Sequence, residues 1–183
     1  MKRIKRKIQN NAGFTLAEVL LAVLILLMVS TIVATGIPSA KNAYEKVVLA
    51  SNAEVLLSTT MNELRNELGS ARDVNASNNK ITYRNSYTNS QSEISKWSGD
   101  ASKAPRDTIM LRRYASGTGS DPVRLTSEKA SDGLYATYTL VVYNQKTGIV
   151  TFSDLSVKRK GSENALVTMP TFSIRVFSAE KTA

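Results

Sequence analysis

Hydrophobic and polar positions follow four regimes along this chain. Residues 1–13 are polar and basic, and residues 16–37 are apolar on all sides with one formal charge, Glu18. From 39 to 68 only one stripe is apolar, made of Ala43, Val47, Ala50, Ala53, Leu57, Met61, Leu64 and Leu68 at spacings of three and four. Beyond Pro105 the period drops to two. The second and third regimes predict one nearly continuous helix, because an apolar run and an amphipathic stripe both fit a 3.6-residue turn. At 1.5 Å per residue such a helix is roughly 80 Å long. Its first half is long enough to cross a bilayer, for which about 20 apolar residues suffice. Its second half has one face to bury, which predicts a globular head packed on it in preference to a coiled coil. Gly69 follows the last periodic residue and suits a helix stop. Pro38 removes one backbone hydrogen bond and predicts a kink. Ser30, Thr31, Ala34, Thr35 and Gly36 are small and would let helices approach closely within a membrane.

Residues 70–105 are polar and rich in Asn and Ser, with a short alternation around Ile81 and Tyr83, and read as a long loop that Trp97 anchors to the domain. Residues 108–114 then read as a strand, 115–122 as a loop, 123–127 as a weaker strand and Asp132-Gly133 as a turn. The best strand is 134–143. Tyr135, Thr137, Thr139, Val141 and Tyr143 fall on one face, and Leu134, Ala136, Tyr138, Leu140 and Val142 on the other, so it reads as central. Residues 144–148 form a hairpin loop with Gly148 left-handed, 149–157 return, and 171–177 supply a last strand through Phe172, Ile174 and Val176. A long helix followed by an antiparallel sheet is an α+β fold.

Composition narrows the chemistry. The 183 residues include no Cys and no His, which excludes disulfides, thiol catalysis, Cys/His zinc sites and His-dependent triads. Carboxylates are scattered without a paired spacing, and no glycine-rich loop joins a strand to a helix, so no catalytic residue and no cofactor is expected. Asp121, Asp132 and Asp154 lie in or near loops but form no ligand pattern, and no metal site is expected. The formal net charge is +9, but Lys2, Arg3, Lys5, Arg6 and Lys7 supply more than half of it. That makes the basic pI weak evidence for nucleic acid. The basic turn Lys158-Arg159-Lys160 and the doublet Arg112-Arg113 are the candidate phosphate contacts elsewhere, the former being the stronger.

The basic start places the N-terminus in the cytoplasm by the positive-inside rule. The apolar run is too long for a secretory signal, whose core is 7 to 15 residues. A carboxylate near the start of a span costs about 2.5–3.5 kcal/mol on insertion scales, less at an interface. Basic leader, Gly13-Phe14, Glu18 and a spanning helix together resemble the N-terminus of a type IV prepilin or pseudopilin. The resemblance covers about the first 45 residues. It implies that a prepilin peptidase cuts between Gly13 and Phe14 and methylates the new amine. It also implies that Glu18 neutralises the Phe14 amine of a neighbouring subunit, since two charges costly alone are tolerable as a pair. The implied layout is a cleaved leader over 1–13, a transmembrane assembly helix over 14–38, and an extracytoplasmic head over 39–183 that includes the amphipathic helix to about 69. The whole would be a ladle with the sheet packed on the outer half of the helix.

The implied partners are the peptidase, an assembly platform protein with its ATPase, other pilin subunits and the membrane. The precursor would cross the cytoplasmic membrane once, and the mature chain would join a cell-surface or envelope-spanning filament. Lack of Cys departs from the many Gram-negative major pilins that close a loop with a disulfide, and fits a pseudopilin or a Gram-positive pilin better. Related pilins also place the proline a few residues before the position of Pro38. Two other readings fit the same residues. One is a membrane-anchored extracytoplasmic domain that does not polymerise. The other is a DNA-binding competence pilin that uses Lys158, Arg159 and Lys160.

Overall fold

The computed structural model describes residues 15–115, 118–127 and 133–176. Helix α1 runs Leu16–Gly69 and passes through Pro38 without ending. The chain divides into two compact units, residues 1–46 and 47–183. In the first, every described side chain is exposed, including the large apolar ones from Leu16 to Ile37. Hydroxyls inside this apolar stretch are satisfied by the helix itself. Ser30 Oγ donates to the Leu26 carbonyl at 2.7 Å, Thr31 Oγ1 to Met28 at 2.7 Å, and Thr35 Oγ1 to Thr31 at 2.9 Å. A hydroxyl bonded this way adds no unpaired donor to an apolar environment.

In the second unit α1 buries Ala53, Leu56, Leu57, Thr60, Leu64 and Leu68. The expected stripe is therefore right from Ala53 onward, but Val47 stays 67% exposed and Thr60 joins the buried face. Burial of a threonine is tolerable here because Thr60 Oγ1 donates to the Leu56 carbonyl at 2.7 Å.

Among the described residues ten strands follow, divided between two antiparallel sheets. The strands are β1 Ala71–Ser77, β2 Lys80–Asn85, β3 Gln91–Lys96, β4 Ile109–Ala115, β5 Thr118–Gly119, β6 Val123–Arg124, β7 Leu134–Thr137, β8 Leu140–Asn144, β9 Ile149–Arg159 and β10 Ala165–Arg175. The first sheet has the order β1-β2-β3-β4-β5, with β6 also paired to β4. The second has the order β10-β9-β7, with β8 paired to β9. One core joins them: Leu64 and Leu68 of α1, Ile81, Tyr83, Ile94 and Leu111 of the first sheet, and Val150, Phe152, Leu155 and Phe172 of the second. Tyr138 meets Phe152 edge-on with ring centroids 5.3 Å apart. The fold is α+β, a long N-terminal helix whose later turns pack on antiparallel sheet.

Four expectations are corrected. The polar stretch 70–105 contains β1, β2 and β3 instead of a loop, because Val74, Ile81, Tyr83, Ser92 and Ile94 alternate inward while polar neighbours face out. Its first hairpin turns on Asn78 and Asn79, with φ of 49° and 59°, a left-handed pair that asparagine tolerates. The stretch 134–143 is two strands, broken at Tyr138 and Thr139, and both lie beside β9, so it is not central. After the break the facing reverses: Val141 is buried, while Leu140 and Val142 are 47% and 50% exposed. Opposite the break sits Asp154 with φ of 51°, and on the other side of β9 the ladder skips Pro170, which has no N–H to give, without a change of register. The last strand begins at Ala165, six residues before the expected Thr171. Finally, 123–127 contributes only the two residues of β6. Gly148 does adopt the left-handed conformation, with φ of 65°.

Candidate functional site

Three places hold the candidate residues: the start of α1, the basic turn with the basic doublet of β4, and the loop that carries Trp97. Gly13 and Phe14 lie outside the described residues, as does Asp132. Thr15 and Glu18 do not. The Thr15 N–H and Oγ1 both donate to Glu18 Oε2, at 2.8 and 2.9 Å, and the Glu18 N–H donates to Thr15 Oγ1 at 3.3 Å. This is a capping box. A threonine and a glutamate three residues apart each satisfy a backbone donor of the other, and the carboxylate meets the positive end of the helix dipole. The spacing is legible in Thr15-Leu16-Ala17-Glu18, beside the charge of Glu18. Glu18 is therefore oriented toward the N-terminal end of α1, where the Gly13-Phe14 step precedes it by sequence.

Helix α1 is long and apolar enough to cross a membrane by length and composition. Around Glu18 the side chains of Leu16, Val19, Leu20, Leu21 and Val23 are all about half exposed or more. Apolar surface exposed on every side of a helix needs lipid or other helices to cover it.

Of the basic turn, Lys158 pairs across the sheet with both Ala165 and Tyr135, while Arg159 pairs with Leu134 and begins the turn. The Lys160 N–H donates to the Gly133 carbonyl at 2.8 Å. Lys158 is half-buried, whereas Arg159 and Lys160 are exposed. Successive strand residues point to opposite faces, so Lys158 and Arg159 do not add their charges on one surface. The Arg112-Arg113 doublet is split in the same way. Arg113 turns toward α1, where its Nη2 lies 2.6 Å from Glu67 Oε1. Glu67 Oε2 in turn accepts from the Tyr83 hydroxyl at 2.7 Å. Nothing in the sequence pattern singled out Glu67, because partners 16 and 46 residues away leave no local signature. Among the described residues no group of three or more carboxylates is placed to hold a metal ion.

Trp97 opens the loop that joins β3 to β4 and holds it from within. Its backbone exchanges hydrogen bonds with residues 107 and 108, its Nε1 donates to the Asp100 carbonyl at 3.0 Å, and its ring lies against Gly99. A Cβ at Gly99 would come within 2.7 Å of ring atom Cη2, so Gly99→Ala should displace the indole. The expected loss is about 1–3 kcal/mol from overpacking, with a red-shifted emission of this single tryptophan. An unshifted spectrum with wild-type thermal stability would contradict the placement.

Comparison with curated proteins gives no match, and comparison with solved structures gives none. Residues 8–34 match the family model described as the prokaryotic N-terminal methylation motif. That motif implies processing by prepilin peptidase. The match takes in the start of an apolar helix long enough to span a membrane, and the two fit a membrane-anchored precursor. Residues 8–34 thus carry the type IV prepilin signature, which supports a pilin- or pseudopilin-type precursor.

Proposed function

We propose that this protein is a structural subunit of a type IV pilus or of a secretion- or competence-type pseudopilus. In this reading it is cut between Gly13 and Phe14, leaving residues 14–38 as the assembly helix and 39–183 as the extracytoplasmic head. The observation that carries the proposal is Glu18, the one charged residue in an apolar stretch exposed on every side, held at the helix start by Thr15. A lone carboxylate at that depth is stabilised by an opposite charge, and cleavage creates one in the Phe14 amine. When the amine belongs to a neighbouring subunit, the pair sets the axial stagger while the apolar flanks cover one another. A platform protein and its ATPase would move the subunit from the cytoplasmic membrane into the filament.

Two substitutions test this in the native host. Glu18→Gln keeps a side chain able to complete the capping box, and Glu18→Ala removes it. Both should leave a methylated Phe14 terminus detectable by mass spectrometry of the N-terminal peptide, and both should lower recovery in the sheared filament fraction at least tenfold. Filament incorporation of Glu18→Gln at the wild-type level would defeat the charge-pair role. An uncut N-terminus in the wild-type protein would instead support a membrane-anchored domain that does not polymerise.

A further inference from the structure

We propose that the cleft on the face of the first sheet turned away from α1 binds a carboxylated saccharide. The cleft holds about 450 Å³, within the range of small-ligand sites, and is lined by residues of β2, β3 and β4 and by the loop that starts at Trp97. A neighbouring hollow of about 640 Å³ shares Trp97, Met110, Arg112 and Pro122 with it. Leu111 and Arg113 of β4 face the core and α1, so the alternation sends Met110 and Arg112 to the opposite face. Met110 is only 5% exposed yet lies outside the hydrophobic core cluster. It forms an apolar floor beside Trp97 and Pro122.

The charges in the cleft discriminate among ligands. Lys80 Nζ lies 3.8 Å from Glu93 Oε2, and Lys96 Nζ lies 3.8 Å from Asp107 Oδ1. Glu93 Oε2 also accepts from the Tyr114 hydroxyl at 3.3 Å. Arg112 stands opposite Glu93 across the β3–β4 ladder, yet its guanidinium makes no hydrogen bond or ion pair with any described residue. One guanidinium left over suits one carboxylate, which its planar fork binds with two parallel hydrogen bonds. The indole N–H is spent on the Asp100 carbonyl, so Trp97 offers its ring to a ligand. Trp97, Met110 and Pro122 together make an apolar strip on which the C–H face of a pyranose can rest. Glu93 and Asp107 are acceptors for hydroxyl donors, which a sugar has in number.

The test uses the full chain in detergent with trigalacturonate as probe, calorimetry for affinity, and the emission of Trp97, the sole tryptophan, for location. Saturable binding with a matching change in Trp97 emission is expected. The methyl ester of the same trisaccharide should bind at least tenfold more weakly, and so should a hexathymidylate. Arg112→Ala and Arg112→Gln should each weaken trigalacturonate at least tenfold while keeping the wild-type circular dichroism. The proposal falls if trigalacturonate gives no saturable heat and no emission change, if ester and acid bind alike, or if the hexathymidylate binds as tightly. It falls equally if a folded Arg112 variant retains wild-type affinity. None of these outcomes bears on processing or filament entry, which the Glu18 variants read separately.

Discussion

Asn79→Ala should destabilise the head by about 2–4 kcal/mol, and Asn79→Gly by about 1–2 kcal/mol. Asn79 is the second residue of the β1–β2 turn, yet its bonds cross to the other sheet. Its Nδ2 donates to the Thr139 carbonyl at 2.7 Å, and its Oδ1 accepts the Val141 N–H at 2.9 Å. Its own carbonyl accepts the Tyr138 hydroxyl at 2.8 Å. Thr139 lies at the break between β7 and β8 and Val141 within β8, and a backbone group left without a partner is costly. Alanine removes both side-chain bonds and also strains a backbone at φ of 59°, whereas glycine removes the bonds and relieves the strain. The difference between the two variants therefore isolates the conformational term, and the glycine variant alone reports the bridge. Asn79→Asp should be at least as harmful as glycine, since it trades a donor for a charge facing the Thr139 carbonyl. Urea unfolding of the three variants measures this, and wild-type stability in Asn79→Gly would mean that the sheets do not depend on the bridge.

The same residue shows where sequence reasoning reaches its limit. The helix was legible because its determinants are local: an apolar run, a stripe from Ala53 to Leu68, and Gly69 at the end. The Gly148 turn was legible for the same reason. The break at Tyr138 and Thr139 was not, because 134–143 alternates cleanly and the partner that bonds both residues, Asn79, lies about 60 residues away. Strands β1 to β3 were missed because their inward positions are few and separated by Asn and Ser, so composition outweighed period. Here Asn78-Asn79 was the overlooked signal, a left-handed pair between two short alternations. Of the candidate site, Glu18 and the Gly13-Phe14 step stood out as a contiguous pattern. The unpaired state of Arg112 depends on which cations Glu93 and Asp107 already engage, and only the assembled sheet decides that.

Raising the pH from 9 to 12 should unfold the head with a steepness set by two tyrosines. Tyr83 and Tyr138 are 1% and 2% exposed. Burial pushes the Tyr83 hydroxyl far above its ordinary value of 10.0, and its hydrogen bond to Glu67 and that carboxylate's charge push it further. Burial does the same to Tyr138, with a smaller contribution from the charge of Glu93. Both groups are thus protonated in the folded state over a range where the unfolded chain has lost the protons. Below about pH 10 neither state releases them and stability is unaffected. Above it the unfolded state binds two fewer protons, so stability falls by about 2.7 kcal/mol per pH unit until the folded-state values are reached. Tyr83→Phe should cost about 1 kcal/mol at neutral pH, because Glu67 keeps Arg113 but loses a donor. It should also halve the alkaline slope, to about 1.4 kcal/mol per unit. Tyr138→Phe should lower it likewise, and the double variant should leave mainly the contribution of Tyr135, whose hydroxyl burial also raises. Urea midpoints between pH 9 and 12 give the slopes directly. An unchanged slope in Tyr83→Phe would show that this hydroxyl ionises within the fold, which its bond to the Glu67 carboxylate forbids.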